Sequence, residues 1–225
     1  MRRAFFICFA LACLTGLVFA LAPQLDVEVA GLFYANGQFI GQTPAGVLAR
    51  KLGILVPALV LGAALLVWAA GRLSLMRPAL PGRSAVFLTL AMAIGPGLIV
   101  NLALKDHSHR PRPVQVQDFG GSQDFRPWYR LDGDCTKNCS FVSGEMSSAV
   151  WLVAPALLAA PPLQAIALAG AGVFAVLVGT LRMAFGGHFL SDVLMSGFLT
   201  LMVIFGLFGL LRPTPHPRVG RPPEP

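Results

Sequence analysis

Apolar residues run along this chain in long, nearly uncharged stretches: 4–22, 53–71, 85–104, 146–160, 163–181 and 193–211. None of the six alternates apolar and polar positions with period two, which argues against the strands of a membrane β-barrel. About 20 apolar residues span a bilayer as a helix, and five stretches reach or approach that length. The fourth is short, with Pro155 inside it and Pro161–Pro162 after it; it approaches a full span only if Ser143 and Gly144 form its first turn. The pattern predicts an all-α, polytopic membrane protein, six transmembrane helices bundled in one domain over 1–212. The proline-rich end, 213–225, predicts a disordered cytoplasmic tail. The opening stretch has the basic start, the apolar run and the Ala20-Leu21-Ala22 of a signal peptide. Pro23 after that site disfavours cleavage and the run is long for a signal, so a retained first helix is expected.

Composition agrees. The 225 residues are 56% hydrophobic and 12% charged, where a soluble domain averages about 25% charged. With the N-terminus inside, Lys and Arg near the helix ends divide almost evenly, so the positive-inside rule alone does not fix orientation. The carboxylates are more telling: all but Glu224 fall on the outer side, so the net charge of +7 lies on the inner face, where it meets anionic headgroups. An N-in, C-in arrangement follows. It places Cys135 and Cys139 in the longest outer loop, where an oxidising compartment favours a disulfide. Closing so short a loop contributes only roughly 2 kcal/mol, and its expected effect is local, fixing the chain before Ser143. A metal site needs four suitably spaced ligands, and two cysteines do not supply them. Cys8 and Cys13 lie in the first helix as packing residues. The first outer loop, "VAGLFYANGQFIG", reads either as an interfacial segment with Leu32, Phe33, Tyr34, Phe39 and Ile40 in the headgroup layer, or as a plain linker.

The outer ionisable residues with chemical potential collect in three places, each at a membrane boundary: "KDHSHRPRP" (105–113), "CSFVSGEMSSA" (139–149) and "LRMAFGGHFLSDV" (181–193). Helices that bundle bring together Lys105, His107, His109, Arg110, Arg112, Ser143, Glu145, Arg182, His188 and Asp192. Several cations facing one pocket suit a dianionic oxygen ligand, most simply phosphate, which arginine grips bidentately. Ser143-Gly144 at a helix start adds backbone N–H groups and the positive end of a helix dipole. His188 and Asp192, four apart, share a face if both are helical. Asp192 then accepts from one imidazole nitrogen and leaves the other free to attack. Pro111 and Pro113 hold their neighbours extended, which sets Arg110 and Arg112 on one side.

These residues resemble the type 2 phosphatidic acid phosphatase superfamily. Lys105, six residues and Arg112-Pro113 resemble its first motif; Arg182, five residues, His188, three residues and Asp192 its third; Val142 to Glu145 stand where its second motif has Pro-Ser-Gly-His. The resemblance implies a phosphate clamp of Lys105, Arg112 and Arg182, with Ser143 and the Gly144 amide binding phosphate oxygens. It implies His188 as the nucleophile that forms a phosphohistidine, Asp192 as its orienting partner, and neither metal nor other cofactor. Three positions depart: Glu145 for the acid histidine, Val142 for proline, and Leu181 for the serine before the third-motif arginine. A phosphate dianion favours the protonated form of Glu145 and the cations its ionised form, so the general acid is left open among Glu145, His107 and His109. Arg110 is an accessory residue or an interfacial anchor.

The function expected is a lipid phosphate or diphosphate phosphatase of the bacterial inner membrane, with its site at the outer membrane–water boundary facing the periplasm. Lipid A phosphate, undecaprenyl diphosphate, phosphatidylglycerophosphate and phosphatidic acid are the candidate substrates. The alternatives are a lipid-to-lipid phosphotransferase and a non-catalytic lipid-phosphate binder or transporter. The expected partner is the membrane lipid, with no nucleic acid; oligomeric state is left open.

Overall fold

The computed structural model describes residues 1–75 and 80–214. From residue 215 on, the tail expected to be disordered lies outside them. Among the described residues, five helices are long and apolar enough to cross a bilayer: Arg2–Leu21 (α1), Pro44–Arg72 (α3), Gly82–Leu104, Leu163–Ala184 (α7) and Leu190–Leu211 (α8). Gly82–Met92 (α4) is α-helical, and its continuation Ala93–Leu104 widens to a π-helix around Pro96. The Asn101 side chain donates to the Pro96 carbonyl at 2.7 Å within that segment. Leu59, Leu66, Val176 and Leu177 are exposed on α3 and α7, as side chains facing lipid tails must be.

The fourth stretch forms two short helices, Gly144–Trp151 (α5, 8 residues) and Val153–Leu157 (α6, 5 residues). Pro155 lacks the N–H that would bond to the Trp151 carbonyl, and the helix breaks between them. The pair is enclosed by the longer helices. α5 packs against α3, α7, α8 and the π-helix, and Trp151 is fully buried, its indole donating to the Leu88 carbonyl at 3.1 Å. Ser147 on α5 and Thr200 on α8 share a 2.7 Å hydroxyl contact in the core. α5 therefore has a fixed position, and its N-terminus with it.

Two segments at the helix ends differ from expectation. α3 begins at Pro44, nine residues before the apolar stretch. Thr43 caps it, accepting from Gly46 N at 3.1 Å, and Pro44 occupies its first turn, a pairing that starts a helix whatever the hydropathy. Arg50 and Lys51 are consequently helical. The segment between α1 and α3 is folded rather than a plain linker. It contains the helix Gln24–Gly31 (α2) and a hairpin pairing Tyr34–Ala35 (β1) with Gln38–Phe39 (β2) across an Asn36–Gly37 turn, the turn pair hairpins favour. Phe39 is buried beside Tyr34 and Phe119, whereas Leu32 and Ile40 stay exposed. Gly41 N donates to Ala184 O at 2.8 Å, and the Gln42 side chain to Phe185 O at 3.2 Å. The hairpin thereby seats the turn that carries His188.

Candidate active site

His188 lies in the turn between α7 and α8, not on a helix, and is 1% exposed. Its Nδ1 sits 2.7 Å from the carbonyl oxygen of Ser140 and 3.8 Å from the nearest Asp192 oxygen. A carbonyl only accepts, so Nδ1 carries the proton and Nε2 keeps its lone pair. His188 thus donates to the Ser140 carbonyl in place of the expected Asp192 carboxylate, which is engaged elsewhere. Asp192 caps α8, accepting from Phe189 N at 2.9 Å and from Ser140 Oγ at 2.5 Å on Oδ2, and takes Arg110 Nη1 at 2.5 Å on Oδ1. Burial lowers the pKa of His188 to about 4; Arg182 and Arg112 add to the effect and Asp192 opposes it.

Arg110 is fully buried, which corrects the interfacial-anchor reading. Besides Asp192 it reaches Asp26 Oδ2 at 2.7 Å, Ser191 Oγ at 2.9 Å and Arg126 O at 2.9 Å, and its guanidinium lies 4.5 Å from the Phe189 ring centre. These partners use four of its five N–H donors, and burial keeps it from a ligand. Arg110 and Arg112 therefore do not act on one side, although they are two apart. Asp26 closes the cluster by accepting from Ser191 N and Oγ at 2.9 and 2.6 Å.

The remaining cations surround Glu145. A cavity of about 180 Å³ is lined by Ile54, Asn101, Lys105, Gly144, Glu145 and Ser148. A larger one of about 270 Å³, lined by Ala63, Val67, Leu88 and neighbours, is wholly apolar and holds no ionisable group. Glu145 receives Arg50 Nη2 at 2.7 Å and Nε at 3.0 Å, and Arg182 Nε lies 3.4 Å from the same oxygen. Arg182 is 3% exposed, and its buried Nε lacks a hydrogen-bond partner. A Cβ at Gly187 would meet the Arg182 guanidinium, which a larger residue there would have to displace. Arg112 donates through Nη2 and Nε to Asn138 O at 2.8 and 3.2 Å; burial lowers its pKa, and Arg50 adds to the effect. Lys105 is lowered to about 8 by burial first, then by Arg112 and Arg182, against Glu145 and Asp106.

Ser143 is the N-cap of α5, its Oγ accepting from Met146 N at 3.4 Å, and it is fully buried. The first amides of α5, at Gly144 and Glu145, have no intrahelical acceptor and open toward the cavity these residues line. The disulfide Cys135–Cys139 is present. Its segment runs beside the first cluster: Cys135 N bonds to His109 O, Cys139 N to Lys105 O, and Ser140 N to Arg110 O. His109 Nδ1 faces Cys135 O at 3.0 Å, and His107 Nδ1 faces Ala103 O at 2.9 Å. His107 borders a separate cavity with Trp128, Tyr129 and Phe141. Neither histidine lines the Glu145 cavity. Arg50, Asp26, Asn101 and Ser140 escaped the sequence reading. The Thr43-Pro44 helix start was the available signal for Arg50; a lone Asp26 or Ser140 carries none.

Comparison with known proteins agrees with this architecture. Residues 84–213 match the PAP2 superfamily. A lipid A 4'-phosphatase of Francisella tularensis subsp. novicida is 36% identical over 202 residues, 86% of this chain and 89% of that protein. A lipid A 4'-phosphatase of Rhizobium leguminosarum is 40% identical over 125 residues, 56% of this chain and 54% of its own length. The crystal structure of a transmembrane PAP2-type phosphatidylglycerolphosphate phosphatase from Bacillus subtilis superposes with a TM-score of 0.60 over 92% of this chain and 94% of that one, at 21% identity, a likeness of fold. On these grounds the chain belongs to the PAP2 superfamily and is a multi-pass membrane phosphatase.

Proposed function

We propose that the protein removes the 4'-phosphate of lipid A, or of a lipid A precursor, at the outer leaflet of a bacterial inner membrane, with its site facing the periplasm. One observation carries the chemistry. A buried His188 has Nδ1 tied to a carbonyl and Nε2 left with its lone pair, on a turn whose neighbouring residues include Arg182. The relatives carry the choice of lipid.

In the proposed reaction Lys105, Arg112, Arg182 and the Gly144 amide hold the phosphate oxygens, and Ser143 sets that amide by capping α5. His188 Nε2 attacks phosphorus while the bond to the sugar oxygen breaks, and Glu145 gives its proton to that oxygen. The phosphohistidine carries positive charge on its ring, which the Asp192 carboxylate at 3.8 Å balances. Water then attacks phosphorus, Glu145 takes back a proton, and inorganic phosphate leaves with His188 neutral again. A metal-free clamp of guanidinium and ammonium groups matches a dianion in charge and geometry.

The test is release of labelled phosphate from 4'-labelled lipid A by purified protein. His188→Ala should lower the rate by about 10⁴-fold or more and prevent capture of a phosphohistidine. Normal release by that variant, or equal rates on lipid A, undecaprenyl diphosphate and phosphatidic acid, would overturn the mechanism or the substrate respectively. Label appearing in a second lipid would identify a phosphotransferase.

A further inference from the structure

Glu145 lies between two arginines from different helices. Arg182, on α7, belongs to the expected clamp. Arg50, on α3, belongs to none of the three clusters, yet it makes the more extensive contact: Nη2 and Nε reach Oε1 at 2.7 and 3.0 Å, and Nε reaches Oε2 at 3.2 Å. Its side chain is 40% exposed and that of Glu145 20%, so the pair stands at the mouth of the cavity. The Arg50 guanidinium also lies 5.9 Å from the Phe185 ring centre, as does that of Arg182. One aromatic ring thus spaces the two cations that flank the carboxyl group. Helix α3 presents Arg50 there because it begins at Pro44.

We propose that Arg50 is a positioning residue for Glu145. Its fork fixes the carboxyl group beside Arg182 and stabilises the carboxylate left when the proton has moved to the leaving oxygen. The inference rests on the reading of Glu145 as the acid. An acid that loses its proton in the transition state gains from every cation facing it, and those facing Glu145 are Arg50 from α3, Arg182 from α7, and Lys105 and Arg112 from the first cluster. The last three are assigned to phosphate and are drawn to it when substrate binds. Arg50 is then the cation left to Glu145. In the second half-reaction the same fork holds the carboxylate toward the attacking water. The pairing also gives a physical reason for glutamate where the family has histidine: an anion can be clamped by a forked cation, and an imidazole cannot.

Leaving-group dependence tests this. An alkoxide leaving from a lipid phosphate needs a proton, whereas the nitrophenolate of 4-nitrophenyl phosphate does not. Glu145→Gln should lose about 100-fold or more in kcat/KM on the lipid and far less on the aryl phosphate. Arg50→Gln should show the same pattern, losing about tenfold or more on the lipid, with orthovanadate inhibition unchanged. The double variant should be no slower on the lipid than Glu145→Gln alone. Arg50→Lys, which keeps charge and loses the fork, should fall between wild type and Arg50→Gln, and supplies the comparison if the glutamine variant fails to fold. Equal losses on both substrates at Arg50 would make it a phosphate ligand, and multiplying losses in the double variant would make the two residues independent. Either result overturns the proposal. Equal losses on both substrates at Glu145 would instead overturn the acid reading beneath it.

Discussion

Asp192 stands 3.8 Å from His188 Nδ1, and the carbonyl of Ser140, at 2.7 Å, holds the imidazole. The acid at the fourth position after the histidine therefore acts at one remove, through Ser140 Oγ and the cap of α8. It also forms a buried ion pair with Arg110. Asp192→Asn should keep the His188 tautomer, because the carbonyl sets it, and lose less activity than His188→Ala. It should also lower the unfolding temperature, since removing one member of a buried pair costs about 3–5 kcal/mol. Thermal unfolding beside single-turnover rates checks this. An Asp192→Asn protein as stable as wild type and as inactive as His188→Ala would contradict it.

The pH profile should follow one buried and one half-buried group. His188 is lowered to about 4 by burial, so its reactive neutral form persists to that pH and the nucleophile imposes no acid limb near 6.5. Unfolding restores an ordinary imidazole. Between about 6.5 and about 4 the unfolded chain binds a proton here that the folded chain refuses, so stability falls as pH drops through that window. Lys105, lowered to about 8, loses its charge as pH rises through that value, and kcat/KM should decline above it. In Lys105→Arg that decline should vanish, because guanidinium stays charged. A decline that persists in this variant would assign the limb to another group.

The helices were legible because an apolar run of 20 residues has few alternatives. The clusters at their ends stood out because cations, histidines and carboxylates gather there in three short segments. Cap chemistry that outreaches hydropathy was harder to read: Thr43-Pro44 starts α3 two turns above its apolar stretch and delivers Arg50. Contacts made by short polar residues far apart in sequence left no pattern. Asp26 meets Arg110 across 84 positions, and Ser140 meets His188 across 48. The four-residue spacing of His188 and Asp192 suggested a shared helix face, yet the turn places only Asp192 on α8.

Arg110 and Arg112 should separate stability from catalysis. Arg112 donates through Nη2 and Nε to a single carbonyl, that of Asn138, and among the described residues has no carboxylate partner like those of Arg110. Arg112→Lys keeps the charge and loses the fork, and should cost at least about tenfold in kcat/KM, roughly 1.4 kcal/mol, at an unchanged unfolding temperature. Arg110→Lys cannot reach Asp26, Ser191 and Asp192 together. It should lower the unfolding temperature markedly, with activity following the folded fraction. Melting curves in detergent distinguish the two, and equal melting temperatures would refute the separation.

The Cys135–Cys139 loop should matter more to turnover than to stability. It holds Asn138, whose carbonyl takes Arg112, and Ser140, whose carbonyl takes His188 and whose hydroxyl takes Asp192. Three expected site residues thus depend on Asn138, inside the disulfide loop, and Ser140, directly after it. Closing so short a loop contributes roughly 2 kcal/mol, which a helical membrane bundle tolerates losing. Slack in that loop, however, displaces the nucleophile and a clamp residue together. Cys135→Ser/Cys139→Ser, or reduction of the wild-type protein, should therefore lower kcat severalfold with a smaller change in KM, while the protein stays folded. Mass shifts after thiol labelling, with two more sites labelled upon reduction, establish that the bond was broken. An unchanged kcat in a demonstrably reduced protein would mean that the backbone pairing of 135–140 with 105–110 holds the site unaided.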